Sequence, residues 1–296
     1  MEILKNADLS KWTTIKIGGI CSYMAFPEKI EDIVYLINLS KDRDLPLFIL
    51  GRGANTIFGN VKGIVINMLR LKKDPEIIRG KEGVEIKISA GNPLSDLINL
   101  AIEKNLGSIF KLYGFPATVG GAISMNAGAY KYEISEELTS IKFIDWEGKL
   151  QEAVKEDLRF SYRSSQFPHI GIILEARFFL KPSPLDVKRE VKLIKERRKS
   201  TQPINNLTSG STFKNPGGIS AGVLLERCGF KGKREGNVKF SEKHANFLIN
   251  MGGGKLEEVK KLIDEAKRVI FQEKGINLEE EVKIIEDSGT DGWKIL

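Results

Sequence analysis

Between Tyr113 and Tyr130 the chain reads Tyr-Gly-Phe-Pro-Ala-Thr-Val-Gly-Gly-Ala-Ile-Ser-Met-Asn-Ala-Gly-Ala-Tyr, a stretch with four glycines, four alanines and few large side chains. The main chain is therefore its chief contact surface. Glycine tolerates positive φ and leaves its N–H unshielded, so consecutive amides here can turn toward one diphosphate. A cofactor carrying a diphosphate suits such a loop. The competing reading is that the small residues only permit tight turns and close strand packing. Their clustering favours ligand binding.

A second glycine-containing run, Gly51-Arg52-Gly53-Ala54-Asn55-Thr56, could pass for half of a Rossmann fingerprint. Thr56 stands where the third glycine would be, and Gly59 and Gly63 oppose a long helix, so a pyrophosphate on a helix N-terminus is not expected there. His169 and His244 are the only histidines, and Cys21 and Cys228 the only cysteines, with no CxxC spacing. Neither a metal centre nor a disulfide framework is predicted, and both thiols are expected to be reduced.

The elements that must hold these segments follow from periodicity. Ile30, Ile33, Val34 and Ile37 predict a helix after Pro27, and Leu47 to Leu50 a buried strand. Val84, Ile86, Ile88 and Ala90 alternate as a strand. Asn92-Pro93 then opens a helix with Leu94, Leu97, Ile98, Ala101 and Ile102 inward, ended by Gly107. Ile141 to Trp146 and Ile170 to Leu180 read as strands on either side of a loop containing Tyr162 and Arg163. A boundary falls at Lys181-Pro182-Ser183-Pro184, where Ser183-Pro184 can start the next helix. Beyond it, Ser220 to Cys228 and Leu256 to Lys274 read as helices, the second with Gly275 after its end, and Asn246 to Asn250 as a strand.

Gly114 to Tyr130 resembles the signature loop of the UDP-N-acetylenolpyruvoylglucosamine reductase family (UDP-N-acetylmuramate dehydrogenase, MurB), with Ala117 at a usual glycine and Lys131 at the closing glycine. Similar segments occur in the family's order from Trp12 to about Ile285. The resemblance implies an α+β fold, with an FAD-binding portion of the VAO/PCMH flavoprotein type and a smaller α+β substrate-binding domain. It implies NADPH-dependent, FAD-mediated reduction of UDP-N-acetylglucosamine enolpyruvate to UDP-N-acetylmuramate in peptidoglycan precursor synthesis. FAD contacts are implied at Gly51, Gly53, Ala54, Asn55 and Thr56. More are implied at Gly114, Pro116, Ala117, Thr118, Gly120, Gly121, Ser124, Asn126, Ala127, Gly128 and Ala129. Some proteins of this flavin fold attach FAD through histidine, but no histidine lies in the glycine-rich segments, so noncovalent FAD is expected.

Reducing an enolpyruvyl ether requires a hydride donor, a cation at the substrate carboxylate, a general acid and a water-poor pocket. No side chain donates hydride, which leaves that step to a flavin. Tyr162-Arg163-Ser164-Ser165 is similar to the family's Tyr-Arg-x-Ser motif, which makes Arg163 the catalytic cation; a guanidinium stays charged and offers two parallel donors. Ser209 to Pro216 is similar to Gly-Ser-x-Phe-Lys-Asn-Pro, so Ser211 corresponds to the proton donor. Tyr130, Tyr162, Lys214 and Asn215 correspond to substrate-binding groups. Leu278 to Val282 is similar to Leu-Glu-Pro-Glu-Val, with Glu280 in place of proline and Glu281 in the catalytic position; Glu279 is the alternative register. Ser241 to Phe247 also matches, with His244 outside the catalytic set. The short interval from Arg163 to Ser211 is similar to the subtype lacking a substrate-capping loop.

With 296 residues and 41% hydrophobic composition, the chain can bury several cores. The expected parts are 1–65 and 66–183 for FAD, 184–285 for substrate, and a tail over 286–296. Met1 to Ile15 has no apolar run, and Glu175 and Arg177 interrupt Ile170 to Leu180, so a cytoplasmic protein with no membrane partner is expected. Much of the +7 net charge sits in Lys188 to Lys199, where Val187, Val191 and Ile194 recur at helical spacing. That pattern reads as an amphipathic helix with a solvated basic face, and no interleaved aromatics suggest nucleic acid. A monomer binding NADPH and a nucleotide sugar is expected. The rivals are another flavin oxidoreductase or oxidase of this fold, and a noncatalytic nucleotide-sugar or nucleic-acid binding protein.

Overall fold

Short runs of β-branched and aromatic residues set the first sheet. In the computed structural model, which describes residues 1–286, strands Glu2–Asp8, Ile20–Phe26, Val61–Asn67 and Leu47–Leu50 lie side by side in that order. The first pair is antiparallel, and Val61–Asn67 runs parallel to both its neighbours. Helix α1 (Ile30–Asp42) provides the crossover expected from its apolar spacing. Its buried Ile33, Leu36 and Ile37 meet Leu47, Ile64 and Ile66 of this sheet together with Ile144, Ile172 and Leu174 of the next.

The second sheet is antiparallel throughout, in the order Leu150–Val154, Leu138–Asp145, Gly171–Leu180, Val84–Ser89, Glu76–Arg79. Helix α2 (Leu94–Lys104) buries Leu94, Leu97, Ile98 and Ala101 against Ile86, Ile88, Phe178 and Leu180. It ends at Asn105, φ 53°, two residues before the expected Gly107. Asparagine tolerates the left-handed conformation, and here its side chain also donates to Ser183 O and accepts from Val187 N. Two short helices follow, α3 (Val119–Ser124) and α4 (Phe167–Ile170).

Helix α5 (Val187–Thr201) is capped by Asp186, whose Oδ1 accepts from Arg189 N at 3.1 Å, instead of starting at Ser183-Pro184. It falls within the span expected for the substrate part, yet it buries Val187, Val191 and Ile194 against Phe110, in the unit before it. A third core follows, formed by α6 (Ala221–Arg227), α7 (Leu256–Lys274) and the sheet Arg234–Glu235, Val238–Phe240, Leu248–Asn250. The α7 residues Leu256, Val259, Leu262, Ile263, Ala266 and Ile270 are buried as their spacing predicts, and Gly275 ends the helix at φ 66°. Each larger side chain among them contributes about 2 kcal/mol of transfer free energy.

Ile15, Ile17 and Ile57 belong to this third core, so it recruits chain from the first unit. In exchange, Lys283–Ile285 follows the third core in sequence and pairs in parallel with Thr56–Phe58 of the first unit. The result is an α+β fold whose last described strand is stitched into its first sixty residues. No helix among the described residues is long and apolar enough to cross a membrane. Positions 287–296 of the expected tail lie outside the described residues.

Candidate active site

The glycine-rich segment is more ordered than its composition suggests. Thr118, extended at φ −86°, caps α3 through Oγ1, which accepts from Gly121 N at 3.2 Å. Val119 N donates to Asn92 O and Gly120 N to Ala90 O, both at 2.9 Å. Three successive amides expected to face a diphosphate are thus spent inside the fold. A β-carbon on Gly120 would stand 2.8 Å from the Ala90 β-carbon, so this glycine permits packing. Gly121 differs, because a β-carbon there would touch only Thr118 Oγ1 within 4 Å. The packing reading holds at Gly120, and the space beside Gly121 leaves room for a ligand.

Two cavities flank α3 and share Gly121. The smaller, about 60 Å³, is lined by Gly51, Thr118, Gly120, Gly121 and Ser124. The larger, about 780 Å³, has Ala54, Asn55, Pro116, Ala117 and Gly121 on one wall, with Ala127, Gly128, Ala129 and Tyr130 beyond. Its volume suits a flavin ring and a second ligand together. The open space beside Gly121 and the alanine-lined wall fit a flat, mostly apolar ring, so the FAD expected from the sequence is compatible with these residues.

Several expected cofactor contacts line neither cavity. Gly53, φ 63°, is needed for its turn, where a β-carbon would meet Trp12 O at 2.2 Å. Thr56 sits in the strand paired with Lys283. Gly114 offers its carbonyl to the Arg198 guanidinium at 3.2 Å. Asn126 is fully buried, and its Nδ2 donates to Glu133 Oε2 at 2.7 Å and Ser161 O at 3.0 Å. Asn55 lines the cavity, yet its Nδ2 is committed to Glu281 O at 2.9 Å.

The larger cavity does gather Arg163, Ser211 and Glu281, together with Tyr162 and Asn215. Arg163 occupies the turn of the hairpin Phe160–Ser161/Ser164–Ser165 at φ 55°, a left-handed conformation costing about 1 kcal/mol or more in a residue with a long side chain. Its guanidinium lies 4.7 Å from the Tyr162 ring centroid. Nε donates to Glu281 Oε1 at 3.0 Å, Nη2 donates to Gly128 O at 2.6 Å, and Nη1 lies 3.7 Å from Glu133 Oε1.

Ser211 and Glu281 are brought together by backbone pairing. Asn246 clamps the serine's segment, accepting from Phe213 N at 2.9 Å and donating to Phe213 O at 2.8 Å. Thr212 O accepts from Glu281 N at 2.8 Å, so the carboxylate is registered one residue from the hydroxyl. The same pairing sorts the three acids. Glu279 is paired with Lys214, Glu280 with Lys267, and Glu281 with Arg163; among them only Glu281 lines the cavity. Lys214, expected at the substrate, is turned to Glu279 and lines neither cavity. Burial pushes the Glu281 carboxyl above its ordinary range, against the pull of Arg163 and Lys214.

Sequence reasoning missed the far wall. Arg197 and Arg198, at the end of α5, line the cavity, and Arg197 lies 5.5 Å from the Tyr130 ring centroid. Helical spacing identified the apolar face of α5 but carried no signal of what its last turn abuts. His244 and Lys243 also line the cavity. Burial holds His244 below the usual imidazole range, favouring the neutral ring, and its Nδ1 accepts from Asn246 N at 3.3 Å. The arrangement can bind a polyanion along the α5 arginines, receive a carboxylate at Arg163, and present a hydroxyl and a largely buried carboxyl beside it.

Residues 202–285 match the model of the UDP-N-acetylenolpyruvoylglucosamine reductase C-terminal domain, and residues 21–153 match that of an FAD binding domain. The chain is 53% identical to the UDP-N-acetylenolpyruvoylglucosamine reductase of Aquifex aeolicus (strain VF5), covering 100% of this chain and 99% of that one. It is 33% identical to the reductase of the same name from Syntrophus aciditrophicus (strain SB), over 97% and 93% of the two chains. The crystal structure of UDP-N-acetylenolpyruvylglucosamine reductase from Thermus caldophilus superposes with a TM-score of 0.77 at 29% identity, covering 96% of this chain and 98% of that one.

Proposed function

This chain belongs to the UDP-N-acetylenolpyruvoylglucosamine reductase family, and we infer that Arg163, Ser211 and Glu281 carry out the reaction. The activity is FAD-dependent reduction of UDP-N-acetylglucosamine enolpyruvate to UDP-N-acetylmuramate in peptidoglycan synthesis, with NADPH as reductant. The observation that carries the residue assignment is the convergence of these three side chains on one cavity beside α3.

FAD, when bound, supplies the two-electron redox chemistry that no side chain of the chain offers. The protein's own groups do the rest. Arg163 receives the substrate carboxylate and favours the negative charge that spreads into it as the double bond is reduced. Ser211 Oγ gives a proton to the carbon bearing that carboxylate. A serine hydroxyl is a weak acid, but a strongly basic carbon within hydrogen-bond reach and away from bulk water can take its proton. Glu281, largely buried and pushed toward its neutral form, stands at Arg163 and adds a donor to the same charge. Arg197 and Arg198 are suited to the diphosphate shared in chemistry by both nucleotide ligands. Residues 1–183, with α5 packed on them, are read as the FAD-binding part, and the α6–α7 core as the substrate-binding part.

Purified protein is expected to be yellow, to bleach with NADPH and to regain its absorbance anaerobically with the enolpyruvyl nucleotide sugar. A reduced flavin that ignores the nucleotide sugar but consumes oxygen, in a protein that oxidises a simple alcohol, would instead indicate an oxidase.

One backbone position is critical to the guanidinium. A β-carbon on Gly128 would lie 2.8 Å from Arg163 Nη1 and 2.6 Å from Tyr132 O. Gly128→Ala is therefore expected to displace Arg163 and lower kcat about 100-fold, the usual penalty for a displacement near 1 Å. Wild-type kcat in the variant would show that Arg163 needs no such anchoring.

A further inference from the structure

Arg163 is held by more groups than a substrate-binding cation requires. Two carboxylates, Glu281 at 3.0 Å from Nε and Glu133 at 3.7 Å from Nη1, share its single positive charge. The Gly128 carbonyl takes Nη2, so each of the three guanidinium nitrogens has its own anchor. Glu133 is itself fixed. Asn126 Nδ2 donates to its Oε2, and the same amide nitrogen donates to Ser161 O, in the hairpin strand leading to Arg163. The ring of contacts Ser161, Asn126, Glu133, Arg163 thus closes on the hairpin that carries the guanidinium.

The charge balance gives this ring a chemical consequence. With both carboxylates ionised, the trio carries a net negative charge and would repel the substrate carboxylate that Arg163 must receive. One proton on the trio removes that charge. Glu281 is the better holder, because its side chain is 20% exposed against 33% for Glu133. Arg163, Lys214 and Lys283 oppose protonation at Glu281, while a second carboxylate on the same guanidinium favours it, because like charge disfavours ionising both.

We propose that Glu133 is a positioning residue for this reaction: it orients the Arg163 guanidinium and, by sharing its charge, keeps the Glu281 carboxyl protonated. The proposal rests on the functional reading above only for the roles of Arg163 and Glu281. Its test therefore includes a measurement that needs no turnover. In FAD-loaded protein, the infrared band of the protonated carboxyl that Glu281→Gln removes is titrated in wild type, Glu133→Gln and Glu133→Asp.

Glu133→Gln removes a negative charge from the trio, so Glu281 should ionise about one pH unit lower. Its kcat should fall roughly tenfold, while the Kd for the nucleotide sugar, read from the flavin difference spectrum, stays within about threefold. General loosening of the site would weaken binding as well. Glu133→Asp keeps the charge on a shorter arm, so its midpoint should move less while kcat still falls about threefold. An unmoved midpoint in Glu133→Gln overturns the proposal. If Glu133→Gln does not retain FAD, wild-type midpoint and kcat in Glu133→Asp overturn it. Failure of wild-type protein to turn over the nucleotide sugar would refute the functional reading and leave the infrared result to decide the charge coupling alone.

Discussion

Ser211→Ala is expected to bleach with NADPH at the wild-type rate and then to regain flavin absorbance with the enolpyruvyl nucleotide sugar roughly 1,000-fold more slowly, a loss within the range for removing a general acid. The two half-reactions separate because the hydroxyl contributes only to the second. Its segment should survive the change: the Asn246 side-chain clamp and the Glu281 N contact are both made to the segment's backbone, at Phe213 and Thr212, which alanine at 211 preserves. Anaerobic stopped-flow absorbance distinguishes the outcomes. Wild-type recovery would remove Ser211 from the acid role and point to Glu281 as the proton source.

Arg163→Lys should lower kcat by about 100-fold or more while FAD content stays within about twofold of wild type. Lysine retains the charge, so the measurement weighs geometry against charge. The three nitrogens of Arg163 reach Glu281, Glu133 and Gly128 O together, and a single ammonium cannot reproduce that spread. It also lacks the planar fork that matches a carboxylate with two parallel hydrogen bonds. Steady-state kinetics with both substrates varied would check the result. A kcat within threefold of wild type would show that positive charge alone suffices.

The amphipathic helices were legible because each carries its own signal. α7 shows an unbroken apolar face and a terminal glycine, α6 lies within its predicted span, and α1 starts at the expected Ile30 and runs on to Asp42. Ends set by competition between nearby residues were less legible. Asn105 ended α2 before Gly107 could, since it takes the left-handed conformation and bonds across to Ser183. At the site, the resemblance supplied Arg163, Ser211 and Glu281. The choice between Glu279 and Glu281 depended on which acid meets Arg163 across the fold, information absent from three consecutive identical residues. Asn55 and Asn126, both expected at the cofactor, commit their side-chain Nδ2 to Glu281 O and Glu133, although Asn55 still lines the cavity. Their partners are fixed by the tertiary fold, so composition around each asparagine could not reveal them.

The parallel pairing of Lys283–Ile285 with Thr56–Phe58 also orders events on the ribosome. Asn55 and Glu281 are 226 positions apart, so the strand that receives the returning chain leaves the exit tunnel on the order of 10 seconds or more before its partner. The two larger sheets, whose strands all lie at or before Leu180, can pair during that interval, whereas the acid beside Arg163 emerges only at its close. A nascent polypeptide halted before Glu281 would lack the carboxyl that meets Arg163, so this corner of the cavity is completed only once residue 281 has emerged.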